Sequence, residues 1–195
     1  MNILIVGAGQ VGSHTAEALT GAGHGVTIVD VDAVKLRTVT DTLDVGTLEG
    51  SGTSVSVLRE AGVEESDLIV AATSSDEVNL VAASIGRALG AKASIARVHH
   101  SAFIGHSELR YEAHFGIDKL ICPEYSTAKA IARSLRSPAA LEIEEFTGGR
   151  IEMHEFAVGE GAPAIGRRLS EIPMPGGTRL LGVSREPGVI VPGAG

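Results

Sequence analysis

The sequence predicts an α/β fold: a Rossmann-like doubly wound parallel sheet over residues 1–137, then a small, truncated α+β module over 138–195. Three observations predict it. The chain opens on an apolar run, Asn2–Val6, that leads into Gly7-Ala8-Gly9-Gln10-Val11-Gly12, a G-x-G-x-x-G turn between a strand and a helix. The next apolar run, residues 26–29, closes on Asp30, an acidic residue about 20 positions beyond the turn, where dinucleotide folds carry one. Strand-length apolar runs then alternate with helical periodicity as far as Cys122, the order that builds parallel strands joined by crossover helices.

Each glycine of the turn has its own role. Gly7 permits the sharp exit from the strand, Gly9 lets a pyrophosphate approach the backbone, and Gly12 lets the helix pack closely on the sheet. That helix carries Val11, Ala18, Leu19 and Ala22 on one face, and its N-terminus offers free N–H groups to phosphate. Residues 26–29 form the second strand, and a helix follows over 32–40. Residues 44–48 read as a third strand, 53–61 as a third helix ending near Gly62, and 68–72 as a fourth strand. The loop Thr73-Ser74-Ser75-Asp76-Glu77 contains a Ser74-x-x-Glu77 capping box. The helix after it sets Val78, Val81, Ala82, Ile85 and Leu89 on one face. Residues 93–98 and 119–122 are strands five and six, and the polar, His-rich stretch 101–115 between them reads as a helix. Pro123 stops the sheet, and Ala128, Ile131, Ala132 and Leu135 mark one more amphipathic helix over 126–136.

Ser137-Pro138 breaks this pattern. Strand signals follow at 141–146 and 151–158 around a Gly148-Gly149 turn, then at 179–184 and 189–191 around Glu186-Pro187-Gly188. A module of about 55 residues is small for independent stability, and the closing Pro-Gly-Ala-Gly is no natural strand end. The expectation is an incomplete module, or one that needs a partner chain.

Composition narrows the function. With 44% apolar residues but few aromatics and no Trp, the core must be built of Val, Ile, Leu and Ala, the usual stock of parallel sheets. No apolar run approaches the ~20 residues of a membrane span. No basic region precedes the first strand, so no secretory leader is expected. The single cysteine, Cys122, excludes a disulfide framework and reads as a buried strand-end thiol in a reducing compartment. A formal charge of −8 argues against sequence-independent nucleic-acid binding. The reading is a soluble, cytosolic protein.

The candidate cofactor-binding residues are Gly7, Ala8, Gly9, Gln10, Val11, Gly12, Asp30, Asp32, Ser51, Thr73, Ser74 and Arg97. Asp30 stands where a carboxylate accepts hydrogen bonds from an adenosine ribose and repels a 2′-phosphate; its other use would be a helix N-cap, for which Asp32 is the better candidate. Thr73 and Ser74 follow strand four on the sheet edge where open α/β folds bind ligands, a role compatible with capping. Arg97 ends strand five on that edge and suits either phosphate or a surface ion pair. His99, His100, His106 and His114 lack the spacing and supporting acid of a metal site and read as solvated side chains. Arg167-Arg168 reads as a solvated pair. No G-x-S-x-G elbow occurs. Tyr125-Ser-Thr-Ala-Lys129 matches the Tyr-x-x-x-Lys of short-chain reductases without an upstream serine partner, so the spacing reads as chance.

A set of segments in fixed order carries a resemblance. These are residues 2–12, Ile-Val-Asp at 28–30, Leu-Arg-Glu-Ala-Gly-Val at 58–63 with Asp67, Ala-Ala-Thr-Ser-Ser-Asp-Glu-Val-Asn-Leu at 71–80, Ala-Arg-Val at 96–98 and Cys-Pro-Glu at 122–124. Together they resemble the TrkA-type regulators of potassium uptake, whose nucleotide-binding unit is called the RCK or KTN domain. The resemblance covers residues 1–137, and 138–195 looks like the start of the family's C-terminal ligand-sensing domain. It implies a cytoplasmic, non-catalytic regulatory subunit, peripheral to the membrane, that binds NAD(H), or alternatively ADP/ATP, and gates a membrane potassium transporter. It implies a homodimer or a higher ring, with no nucleic acid and no direct membrane insertion. The family's binding positions fall on Gly7 to Val11, Asp30, Ser51, Thr73, Ser74 and Arg97. Where the family often writes Gly-Asp after strand three, this chain has Gly50-Ser51, and a serine still hydrogen-bonds adenine or ribose. ATP-type relatives tend to carry an arginine in the first loop, so neutral Gln10 looks more like the NAD-type members. Glu124 resembles a position near the dimer interface that takes part in nucleotide-linked cation binding. The rival class is an NAD-dependent oxidoreductase, which needs a substrate pocket and a proton-handling group that the small second module does not offer.

Overall fold

The computed structural model describes residues 1–104, 108–147, 150–185 and 188–192. His106, the Gly148-Gly149 turn, Glu186-Pro187 and the closing Gly193-Ala194-Gly195 lie outside the described residues. The chain divides into two compact units, Met1–Ala132 and Arg133–Gly195.

The first unit runs β1 (Asn2–Val6), α1 (Gln10–Gly21), β2 (Gly25–Asp30), α2 (Ala33–Thr40), β3 (Gly46–Glu49) and α3 (Val55–Glu60). It continues through β4 (Leu68–Ala71), α4 (Asp76–Leu89), β5 (Ser94–Arg97), α5 (Tyr111–Phe115), β6 (Lys119–Ile121) and into α6 (Pro123–Arg136). All six strands are parallel, in the order β3-β2-β1-β4-β5-β6. The order reverses between β1 and β4, and the crevice outside the carboxyl ends of those strands is where such sheets bind ligands.

Side chains alternate across a strand, so β1 alone sorts the core into two layers. Ile3 and Ile5 face α1 and α2, packing with Ala16, Val26, Ile28, Leu36 and Val39. Leu4 and Val6 face the opposite side, packing with Leu58 of α3 and Leu80, Ala82 and Ala83 of α4. Leu4, Ile5 and Ile28 are fully buried, and side chains of this kind each contribute about 1.5–3 kcal/mol when taken from water. Among the described residues, no helix is long and apolar enough to cross a membrane.

The helices present different faces from those expected. The buried residues of α1 are Gly12 and Ala16, with Leu19 half-buried beside them, whereas Val11 and Ala18 are exposed. In α4 the covered side is Asp76, Asn79, Leu80, Ala82, Ala83 and Gly86, and Val81 faces outward. In both helices small residues let the backbone lie close to the sheet. On α4 the packed face is therefore centred on Asn79, Ala82, Ala83 and Gly86, with the expected Ile85 and Leu89 packed against the core beside it and only Val81 of the expected stripe exposed. The N-cap of α4 is Ser75 rather than Ser74: its hydroxyl accepts from the Val78 N–H at 3.2 Å, and it donates to Glu77 at 2.8 Å. Residues 101–115 do not form one helix, since Ser101–Phe103 is a short 3-10 turn and α5 begins only at Tyr111. Pro123 stops the sheet by opening α6, where its missing N–H costs nothing.

The second unit contains two antiparallel pairs, β7 (Ala140–Phe146) with β8 (Ile151–Phe156), and β9 (Val183–Arg185) with β10 (Gly188–Ile190). None of its described residues is buried, and Leu141, Phe146, Ile151, Phe156 and Val158 are exposed. Two-stranded pairs without a covering layer are marginal in water. Arg167 and Arg168 are exposed, as expected.

Candidate functional site

The first loop is shaped by two of its three glycines. Gly7 has φ +110°, and a Cβ there would stand 2.9 Å from both the Ala72 carbonyl oxygen and the Thr73 nitrogen. A Cβ on Gly12 would overlap the Gly7 carbonyl oxygen. Gly9 differs from both. Its φ of −74° and ψ of −176° suit any residue, and a Cβ there would meet nothing within 4 Å. Packing within this chain therefore supplies no reason for glycine at position 9, whereas a phosphate approaching the backbone does. Gly9 is also the N-cap of α1, and no side chain caps that helix, so its first N–H groups are left for another acceptor.

Asp30 ends β2 beside this loop. One carboxylate oxygen accepts from the Ala8 N–H at 2.6 Å and the other from the Asp32 N–H at 2.8 Å. Asp30 is thus no helix cap; it is half-buried, with acceptor capacity to spare for a pair of ribose hydroxyls. Asp32 caps α2 by accepting from the Val34 and Lys35 N–H groups, and those N–H bonds hold its carboxyl below the usual range. The Asp30 carbonyl accepts from the Gly50 N–H at 2.9 Å, which brings the loop after β3 alongside. There Ser51 is exposed, and its hydroxyl shares a 2.8 Å hydrogen bond with that of Thr53.

Thr73 follows β4 directly opposite Gly7, as the Gly7 contact distance requires. Ser74 beside it is exposed. Arg97 ends β5 with its side chain largely covered; Nη2 donates to Glu124 at 2.9 Å, and the buried Nε has no hydrogen-bond partner among the described residues. The Glu124 carboxyl is held below its ordinary range by its own backbone N–H and, further, by Arg97 and His99. Gly7 to Gly12, Asp30, Ser51, Thr73, Ser74 and Arg97 accordingly share the carboxyl edge of one sheet, on both sides of its switch point. Asp32 is turned to α2. These groups fit a nucleotide: N–H donors at a helix start, a carboxylate beside them, and a cation across the crevice.

A family model described as the TrkA-N domain matches residues 3–123. The chain belongs to the TrkA-N family. It is 36% identical over 192 residues to the Trk system potassium uptake protein TrkA homolog of Archaeoglobus fulgidus, covering 98% of this chain and 43% of that protein. It is 37% identical over 196 residues to the Trk system potassium uptake protein TrkA of Halomonas elongata, again covering 98% and 43%. The TrkA-N chain thus spans less than half the length of these curated relatives. Among solved structures, the TrkA-N domain of the inner membrane protein ybaL from Escherichia coli superposes with a TM-score of 0.60 at 18% identity, over 69% of this chain and 96% of that one. The GsuK channel bound to NAD gives 0.58 at 20% identity, over 74% and 25%. GsuK bound to ADP gives 0.56 at 20% identity, over 70% and 34%. At these identities the likeness establishes the fold.

The TrkA-N edge also contains a pairing that the sequence did not announce. His99 and His100 are not simply solvated. Each donates its backbone N–H to Asp76, at 2.8 and 3.0 Å, and each ring Nδ1 lies 2.7 or 2.9 Å from the same carboxylate. Burial pushes the Asp76 carboxyl up, but the His100 N–H, the His99 ring, the His99 N–H and the His100 ring outweigh it and hold the carboxyl well below the usual range. Asp76 thereby ties the start of α4 to the segment after β5. Cys122 is buried and donates to the His99 carbonyl at 3.3 Å. Lys129 lies 5.2 Å from the centre of the Tyr125 ring, so the Tyr-x-x-x-Lys spacing is an i, i+4 pair on α6.

Proposed function

We propose that this chain is the nucleotide-sensing part of a regulatory subunit of a potassium transport system, which binds NAD(H) and gates a membrane potassium transporter. The observation that carries the nucleotide reading is Gly9, a glycine with ordinary backbone angles and open space above it at the uncapped start of α1. The N–H groups at Gly9 to Val11 would hold a pyrophosphate, Asp30 an adenosine ribose, Ser51 the adenine side, and Thr73, Ser74 and Arg97 the further half of the ligand. The potassium reading is supported by relatives named as Trk system potassium uptake proteins that align along 98% of the chain.

Regulation requires a nucleotide to bind two arrangements of the subunit unequally. The fourteen-residue α6 supplies a surface for such arrangements: it buries none of its residues, and Ile131 and Leu135 are 58% and 75% exposed. In our reading that face packs on a second copy, giving a homodimer or a ring of dimers that is cytoplasmic and reaches the membrane only through its transporter. Residues 1–137 would be the nucleotide-binding domain and 138–195 part of a C-terminal sensing domain. The chain does no chemistry of its own in this scheme.

The test is to release co-purified nucleotide by heat, identify it by mass, and titrate the stripped protein with NADH, NAD, ATP and ADP. ATP or ADP as the retained and tighter ligand would make this an ATP/ADP-switched regulator. Steady NADH turnover with a small carbonyl substrate would replace regulation by an oxidoreductase.

A further inference from the structure

Asn79 is fully buried in the first turns of α4. Its side-chain amide makes four hydrogen bonds. The oxygen accepts from the Thr73 N–H at 2.8 Å and from the Thr73 hydroxyl at 2.7 Å. The nitrogen donates to the Thr73 carbonyl at 3.1 Å and to the Arg97 carbonyl at 2.9 Å. Backbone groups leave this amide one orientation, because an N–H must face the oxygen and the two carbonyls must face the NH2. The direction of the remaining bond follows. The Thr73 hydroxyl meets an atom that carries no hydrogen, so it must donate. Its other acceptor within reach among the described residues, the Ser75 carbonyl at 3.3 Å, also points the proton inward. The Ser75 N–H occupies one lone pair of the hydroxyl at 3.2 Å. Of one donor and two lone pairs, a single lone pair remains for a ligand.

We propose that Asn79 is a specificity-determining positioning residue: by holding the Thr73 hydroxyl as an acceptor, it makes the β4 side of the crevice favour a ligand group that donates a hydrogen bond over a phosphate. The inference rests on the nucleotide reading above. A ligand with its pyrophosphate at the start of α1 and its ribose on Asp30 extends its other half across the switch point towards β4. In a dinucleotide that half is a second ribose, whose hydroxyls donate. In ATP it is phosphate, whose ionised oxygens accept only. An acceptor facing an acceptor is repulsive, whereas Arg97, paired among the described residues with Glu124 at 2.9 Å through Nη2 alone, keeps further N–H donors that either kind of ligand can use. The same amide holds the Arg97 carbonyl, so one buried side chain aligns both sides of this half-site.

The experiment is calorimetric titration of the full chain with NADH and with ATP, in wild type, Asn79→Ala, Thr73→Ser and Thr73→Val, alongside thermal unfolding. Wild type should bind NADH more tightly than ATP. Asn79→Ala leaves only the longer 3.3 Å contact with the Ser75 carbonyl to hold the proton inward, so a phosphate can turn the hydroxyl to donate. The ratio of NADH to ATP affinity should then shrink by up to about tenfold, the worth of one hydrogen bond. Thr73→Ser retains a tethered hydroxyl and should keep the wild-type ratio; Thr73→Val should shrink it. A purely structural Asn79 would lower the melting temperature and weaken both ligands by the same factor, and that unchanged ratio overturns the proposal. Should Asn79→Ala fail to fold, the Thr73 pair decides, and equal ratios in Ser and Val overturn it. A wild-type chain that binds neither ligand overturns the nucleotide reading, and this inference with it. Binding of both ligands at an unaltered ratio overturns this inference alone.

Discussion

Gly9→Ala and Gly12→Ala add the same methyl group to the same loop, and the structure assigns them opposite consequences. At Gly12 the new Cβ would lie 3.0 Å from the Gly7 carbonyl carbon and overlap its oxygen. Backbone cannot rotate aside as a side chain can, so the helix or the turn must shift. Overpacking of this kind costs about 1–3 kcal/mol, and the unyielding neighbour places Gly12→Ala near 3 kcal/mol. For a unit of this size that is a fall of about 10 °C in melting temperature. At Gly9 the added methyl meets nothing within 4 Å, and the backbone angles suit alanine. The stability cost is then only that of a poorer N-cap, about 1 kcal/mol or less. The same methyl stands where a pyrophosphate must approach, so nucleotide affinity should drop by more than about tenfold. Thermal unfolding and calorimetric titration with NADH and ADP on both variants separate the effects. Equal destabilisation by the two substitutions, or full nucleotide affinity in Gly9→Ala, would refute the assignment of Gly9 to a ligand.

Asp30→Ala should weaken nucleotide binding by about one to two decades, the worth of roughly 1.5–3 kcal/mol of charge-assisted hydrogen bonds, as measured by titration. Unaltered binding would leave the carboxylate only its bonds to Ala8 and Asp32. The folded-state pKa of Asp76 lies below its unfolded value, so between the two the unfolded chain binds more protons and stability rises with pH. The stabilisation is complete above about pH 4 and is lost as the pH falls further, so the melting-temperature gap between wild type and Asp76→Asn should narrow below about pH 4. A gap that persists under acid would contradict this linkage. Light scattering at tens of micromolar should find at least a dimer, and the Ile131→Glu, Leu135→Glu double variant should be smaller; a monomeric wild type would remove α6 as an interface.

Strand positions were legible because buried parallel strands leave short apolar runs, and 2–6, 26–29 and 68–72 contain β1, β2 and β4 to within a residue or so. The loop and the strand ends that share the carboxyl edge were legible for the same reason, since a parallel sheet sends every strand end the same way. Helix faces were harder. Gly12, Ala16 and Gly86 contribute little to a hydrophobic pattern, yet they are what lets a helix lie on a sheet. Long-range polar pairings were beyond reach. Asp76 with His99 and His100, and Asn79 with Arg97, join residues 18 to 24 positions apart, and nothing in local spacing announces them.

The strand order carries a consequence for how the chain is made. β1 sits at the centre of the sheet and hydrogen-bonds to β2 on one side, from Asn2↔Gly25 to Val6↔Val29, and to β4 on the other, from Ile3↔Leu68 to Val6↔Ala71. During synthesis from the N-terminus, β1, β2 and β3 all precede β4. The fingerprint loop and Asp30 can assemble early, while the second edge of β1 waits for residues 68–71. At about 5–20 residues per second, the stretch between β3 and β4 takes roughly 1–4 s to appear. For that interval Ile3, Leu4, Ile5 and Val6 form an open, apolar edge, the kind that recruits strands from other chains. The centre of the finished sheet is therefore the most vulnerable part of the nascent one, and a pause in translation just before residue 68 would lengthen its exposure.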